Sequence, residues 1–213
     1  MNRDTVWYEL MEKMDGGECP VCALTAEMLK REMDAFLYAS VNDRGLRKNI
    51  TESHGFCTRH AYLLMSKGDP VAHAILYQGL LESECVGLTP DARASAGRDH
   101  SGCMFCRSVE ECGRSYAKAF ASFWNDAEFR EKYKRCGILC VPHLDLVRSF
   151  QKDNRAVADL NRETREKYEV LLQNLSEILR KSDYRHANEA LTADERTAWK
   201  RAVAVVNGCE DCR

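Results

Sequence analysis

Apolar residues recur at helical intervals along almost the whole chain. Between 23 and 41, Leu24, Met28, Leu29, Met33, Phe36, Leu37 and Tyr38 line one face, which predicts an amphipathic helix. Asn42-Asp43 supplies a turn and an N-cap for a short helix over 44–53, which Gly55 breaks. A further helix is predicted over 57–66. Asp69 as cap and Pro70 in the first turn open another over 70–85. The later half repeats this order and adds a longer element over 152–182. There Val157, Leu160, Thr164, Tyr168, Leu171, Leu175 and Ile178 form one apolar stripe, read as a face packed against its own domain. A last helix over 193–207 contains Trp199 and Val203, and Gly208 ends it. No segment alternates as a strand would. Residues 87–102, with glycine, Pro90, serine and alternating charge, read as a surface linker.

The expected fold is all-α. It consists of two tandem pseudo-symmetric helical repeats, 1–86 and 103–213, joined by the linker 87–102 and forming one compact unit. The evidence for the repeat is chemical as well as periodic. Cys19-Pro20-Val21-Cys22 is followed by Cys57-Thr58-Arg59-His60, and Cys103-Met104-Phe105-Cys106 by Cys140-Val141-Pro142-His143. Each half reads C-x-x-C, about 34 residues, then C-x-x-H. Glu27 matches Glu111, Ala35 matches Ala119 and Phe36 matches Phe120 at an offset of 84. Asn42-Asp43 matches Asn125-Asp126 and Arg47 matches Arg130 at an offset of 83. One residue lost between Phe120 and Asn125 reconciles the two offsets, and an internal duplication explains the pattern.

Eleven cysteines in a chain of 213 residues are too many for ordinary packing. The N-terminal residues lack the apolar core of a signal peptide, so a cytoplasmic setting is expected, in which cysteine binds metal or does redox chemistry. An odd count also rules out complete internal disulfide pairing. Thiolate and imidazole are preferred zinc ligands, and four complete a tetrahedron. Cys and His three apart on a helix share a face. Each repeat is therefore expected to clamp itself with its own ion, Cys19, Cys22, Cys57 and His60 in the first and Cys103, Cys106, Cys140 and His143 in the second. Zinc at both sites is the leading cofactor, with an iron–sulfur cluster as the alternative and one shared binuclear site left open. A dithiol redox role for Cys19 and Cys22 is the lesser reading, because the strand that precedes such motifs is missing.

Cys85, Cys112 and Cys136 have no counterparts in the other half and are read as small apolar packing, with Cys136 near enough to Cys140 in sequence to intrude on its site. Cys209 and Cys212 form a third C-x-x-C, read as tail thiols or a recruit for further metal. His54 and His100 lie near the ligand segments as surplus candidates.

The runs C-P-V-C, G-F-C-T-R-H, C-M-F-C, F-W-N-D-A-E-F-R and C-V-P-H resemble a bacterial and archaeal family of unknown function whose members carry paired C-P-x-C and G-F-C-x-x-H motifs in two repeats. The stretches Asp183-Tyr184-Arg185 and Thr197-Ala198-Trp199-Lys200-Arg201-Ala202 are similar to that family's C-terminal portion, so the resemblance covers essentially the whole chain. It implies a helical architecture and the same eight Cys and His positions as ligands, and it carries no reaction. Ile138-Leu139 and Val141-Pro142 around Cys140, and the Cys209/Cys212 pair, depart from the pattern.

Four protein ligands leave a metal no open position for substrate, which points away from an enzyme and toward a structural centre in a protein that binds an unknown protein partner or ligand. The rival is an iron–sulfur electron carrier. A net charge of −2 argues against nucleic acid, and no stretch approaches the roughly 20 apolar residues that span a bilayer, so no membrane association is expected.

Overall fold

A computed structural model describes residues 3–87, 102–186 and 188–210. Among them, regular structure is entirely helical. The α-helices are α1 (Thr5–Lys13), α2 (Pro20–Ala35), α3 (Arg44–Glu52), α4 (Thr58–Met65), α5 (Pro70–Gly87), α6 (Met104–Phe123), α7 (Ala127–Cys136), α8 (Val141–Phe150), α9 (Asn154–Lys181) and α10 (Ala193–Asn207). A π-helical turn, Phe36–Ser40, follows α2, and 3-10 turns occupy Met14–Gly16 and Tyr184–His186. No helix is long and apolar enough to cross a membrane among the described residues. Most of the expected linker, 88–101, lies outside the described residues, as do His100 and Cys212.

The predicted caps form. The Asp43 carboxylate accepts the Leu46 N–H at 2.8 Å to start α3, and Asp126, its match in the later half, accepts the Phe129 N–H at 3.1 Å to start α7. Asp69 accepts the Ala72 N–H at 2.9 Å ahead of Pro70. Such caps satisfy backbone donors that the first helical turn otherwise leaves unpaired.

The chain divides into two compact units that differ from the sequence halves. Unit 1 comprises 1–26 with 112–213, and unit 2 comprises 27–111, so the boundaries fall inside α2 and α6. In unit 1, α1, the 3-10 turn after it and the start of α2 supply Trp7, Leu10, Met14 and Val21 to a core completed by Phe120, Trp124, Phe129, Tyr133, Leu139, Val147 and Leu160. The rings of Phe120, Phe129 and Tyr133 meet edge to face, with centroids 4.9 and 5.6 Å apart. In α9 the stripe read from the sequence is packed, with Leu160, Thr164 and Leu171 buried. A nearly buried ion pair, Lys181 to Glu195 at 2.7 Å, and the Thr192–Glu195 capping box set α10 against the end of α9.

Unit 2 has an aromatic centre of its own. Phe56 and Phe105 stack at 5.3 Å, and Phe36 meets both edge-on at 5.7 and 5.6 Å. Leu29, Met33, Ile50, Leu64 and Leu76 are also buried. The turn before Cys57 needs left-handed backbone at His54 (φ 58°) and Gly55 (φ 88°), the second of which glycine adopts without strain. The Gly55 N–H donates to the Ile50 carbonyl at 2.7 Å and so closes α3.

Candidate metal centres

The first two C-x-x-C motifs and both C-x-x-H motifs occupy the same local position. Cys19, Cys57, Cys103 and Cys140 each immediately precede a helix, α2, α4, α6 and α8 respectively. Each cap carbonyl accepts the first i+4 N–H, at 3.0, 2.9, 3.3 and 2.8 Å in that order. Cys22, His60, Cys106 and His143 follow three residues later, on the first turn. Cap and third residue thus point to the same side of a helix N-terminus, and a pair of such termini brings four donors together.

The pairing is the correction that the structure makes to the sequence reading. The four donors of one repeat do not converge. Cys19 and Cys22 meet Cys140 and His143 within unit 1, while Cys57 and His60 meet Cys103 and Cys106 within unit 2. Each centre joins the C-x-x-C of one half to the C-x-x-H of the other. The reason is length. Each C-x-x-C opens a long helix, α2 of 16 residues or α6 of 20, and these rise about 24 and 30 Å. Each of these helices crosses the boundary between units, so the C-x-x-H that follows it belongs to the other unit. The expectation that each repeat clamps itself is therefore wrong, and the donors form two four-residue sets rather than the one binuclear site that the spacing left open.

In each centre the four ligand atoms lie within 4.8 Å of one another. In unit 1, Cys22 Sγ is 3.6 Å from Cys140 Sγ, and His143 Nδ1 is 3.5, 3.2 and 3.2 Å from the sulfurs of Cys19, Cys22 and Cys140. In unit 2, Cys106 Sγ is 3.5 Å from Cys57 Sγ, and His60 Nδ1 is 3.2, 3.6 and 3.3 Å from Cys57, Cys103 and Cys106. A tetrahedral ion with bonds of about 2.3 Å to sulfur and 2.0–2.1 Å to nitrogen has edges of about 3.8 and 3.5 Å. Both donor sets match that size, and both rings present Nδ1.

Electrostatics also suit a cation. Without one, the sulfurs cannot ionise together. Burial pushes the Cys19 thiol well up, and the hydrogen bond with Cys140 pushes Cys22 up to about 12. Cys140 moves strongly down because Cys19 and Cys22 donate to it. In unit 2, burial followed by the hydrogen bond with Cys57 pushes Cys106 up to about 12. Burial opposes ionisation of Cys103, yet hydrogen bonds with His60 and from the amides of Cys57 and Cys106 hold it below the usual thiol value. A divalent ion with three thiolates carries a net charge of −1. Two helix N-termini offer about half a positive charge each, which offsets it.

The walls of the unit 1 centre are tightly specified. The Tyr133 hydroxyl accepts the Leu139 N–H at 3.3 Å and shares a 2.7 Å hydrogen bond with Thr164. Tyr168 donates to the Leu139 carbonyl at 2.7 Å, so the peptide groups on both sides of Leu139, just ahead of Cys140, are held. Gly137 is required by close approach, since a Cβ there would lie 2.6 Å from Tyr133 Cδ2. In unit 2, His60 is fully buried and its ring lies 6.0 Å from Phe105.

The remaining candidates stand apart. Cys85 is exposed rather than packed, and Cys112 and Cys136 are half-buried. Cys136 bonds to the Lys132 carbonyl at 3.2 Å and does not join the unit 1 donors. His54 is exposed, 3.9 Å from Glu84. Cys209, by contrast, reaches the unit 1 centre: its N–H donates to Cys22 Sγ at 3.4 Å, and its sulfur, which is disulfide-bonded, lies 3.9 Å from the Cys22 carbonyl oxygen.

A model described as a family of unknown function, DUF6062, matches residues 6–97 and 88–212. An uncharacterised 23.9 kDa protein from the xynA 3′ region of Caldicellulosiruptor sp. (strain Rt8B.4) is 32% identical over 206 residues, which cover 94% of this chain and 100% of that protein. No solved structure matches. With matches along nearly its entire length, the chain belongs to the DUF6062 family.

Proposed function

We propose that the protein holds two structural zinc ions, one per unit, and acts by binding a partner or ligand rather than by catalysis at the metal. The observation that carries this reading is the size and composition of the two donor sets, three sulfurs and one imidazole nitrogen within 4.8 Å. That size suits one ion. An iron–sulfur cluster distributes its protein ligands over several irons and needs a wider cage. Four protein donors also leave the ion no vacant position for a substrate or water. What the ions do is close chain. In unit 1 the paired ligands are 118 to 124 residues apart, so the ion staples the N-terminal segment to the later helices. In unit 2 they are 43 to 49 apart. Closing such loops favours the folded state because the cost in chain entropy is met by metal binding, about 10 kcal/mol or more for structural zinc.

A surface groove supports the binding role. It has a volume of about 690 Å³ and is lined by Tyr62, Met65, Pro70, His73, Ala74 and Tyr77, among others. This lies in the range of small-molecule sites, about 300–1,000 Å³. The test of the metal reading is elemental analysis and a visible spectrum of protein purified without oxygen. Colourless protein with about two zinc per chain supports it. Brown protein that bleaches in air, with iron and acid-labile sulfide, refutes it in favour of an electron carrier.

A further inference from the structure

Two centres built from the same donors differ in what covers them. After α10 the chain turns at Gly208 (φ 81°, ψ −177°), in a region of backbone space that is essentially reserved for glycine. The Gly208 N–H still caps the helix, donating to the Ala204 carbonyl at 2.9 Å. Its Cα hydrogen side faces the ligands, for a Cβ built there would lie 3.8 Å from both Cys22 Sγ and Cys140 Sγ. The next amide, that of Cys209, donates to Cys22 Sγ at 3.4 Å. A cavity of about 270 Å³ adjoins the same sulfurs, with Cys22, Cys140, Ala204 and Cys209 among its lining residues. In unit 2, no amide from outside the four-residue ligand motifs is hydrogen-bonded to a sulfur among the described residues.

We infer that the segment Gly208–Glu210 is a strap over the unit 1 centre that controls exchange of its ion. The inference rests on the metal reading above. The strap acts through the backbone. Its amide stabilises Cys22 as a thiolate ligand, and its path blocks the cavity through which a competing small thiol or chelator would reach the sulfurs. Amide-to-thiolate hydrogen bonds strengthen the charged form of sulfur, so breaking one weakens the ligand set from which the ion leaves. The two ions should therefore leave at different rates, and the strap should set only one of them. The Cys209 sulfur is not required.

The experiment follows zinc release from the loaded full-length protein to a chromophoric chelator, in a phosphine reductant. Gly208→Ala forces the strap off its path through backbone strain, because a methyl group at this point meets the sulfurs only at ordinary contact distance. Release of one of the two ions should accelerate about ten- to a hundredfold, the equivalent of one hydrogen bond to a charged acceptor, with the other unchanged. Cys209→Ser keeps the amide and should release both ions at the original rates. Unchanged release in Gly208→Ala overturns the inference. So does acceleration in Cys209→Ser equal to that in Gly208→Ala, which would make the sulfur the active group. A second readout needs no metal: hydrogen–deuterium exchange at the Cys209 amide of the metal-free protein should accelerate in Gly208→Ala. Protein that takes up no zinc refutes the metal reading, whereas equal exchange of the Cys209 amide in both proteins refutes the strap.

Discussion

Removing one oxygen from Tyr133 tests whether the wall behind Cys140 is held as described. Tyr133 is fully buried, and its hydroxyl serves both the Leu139 N–H and Thr164. Tyr133→Phe keeps the ring against Phe120 and Trp124 but leaves two buried polar groups without that partner. Thr164 lies inside α9, where its hydroxyl can turn to a carbonyl of the preceding turn, so its loss is partly recovered. Among the described residues the Leu139 N–H has no hydrogen bond but the one to Tyr133. A buried donor left unpaired costs about 1–3 kcal/mol, and we expect a net loss of about 2 kcal/mol. For a chain of this size that lowers the midpoint of thermal unfolding by about 4–8 °C. Differential scanning calorimetry of the zinc-loaded protein measures it. Tyr168→Phe is the control. That half-buried hydroxyl gives the Leu139 carbonyl one donor, and its removal should cost less. A loss below about 0.5 kcal/mol for Tyr133→Phe, or a larger loss for Tyr168→Phe, refutes the argument.

Other outcomes follow from the same contacts. Gly137→Ala places a methyl 2.6 Å from Tyr133 Cδ2 and 3.1 Å from its Cα, and backbone cannot yield as a flexible side chain does. It should cost about 1–3 kcal/mol by denaturant unfolding, whereas Gly16→Ala, where nothing lies within 4 Å, should leave unit 1 folded and loaded. The carboxyl of Glu195 is held below its ordinary value by Lys181 and by the Thr192 amide. Because the folded value is the lower one, this contribution is present above the unfolded carboxyl range and is lost as pH falls through the folded value. Glu195→Gln should flatten the acid limb of stability as pH falls below the ordinary carboxyl range, with calorimetry across that limb as the check.

The helices were legible because their periodicity and their stops agree. Asp43, Asp69 and Gly208 end or begin elements where expected. α1 is the exception. Trp7 and Leu10 of α1 and Met14 of the turn after it are spaced by three and four, but nine residues hold too few apolar positions to fix a period. The donors, too, stood out by spacing. Their pairing did not, since Cys57/His60 and Cys140/His143 are chemically the same and either could complete Cys19/Cys22. The passage of α2 and α6 from one unit into the other separates the motifs of each half, and the spacing of the donors does not show that passage. The strap was equally hidden, since a backbone amide has no residue type.

The exchange of motifs between halves is the central claim, and metal counting in paired variants tests it. Cys22→Ser and His143→Ala strike one centre, while Cys22→Ser and His60→Ala strike two. Each single variant should lose one of two ions. Cys22→Ser with His143→Ala should still retain the other, and Cys22→Ser with His60→Ala should retain none. The reverse result, with one ion surviving in the Cys22/His60 pair and none in the Cys22/His143 pair, would contradict the structure and return each ion to a single repeat.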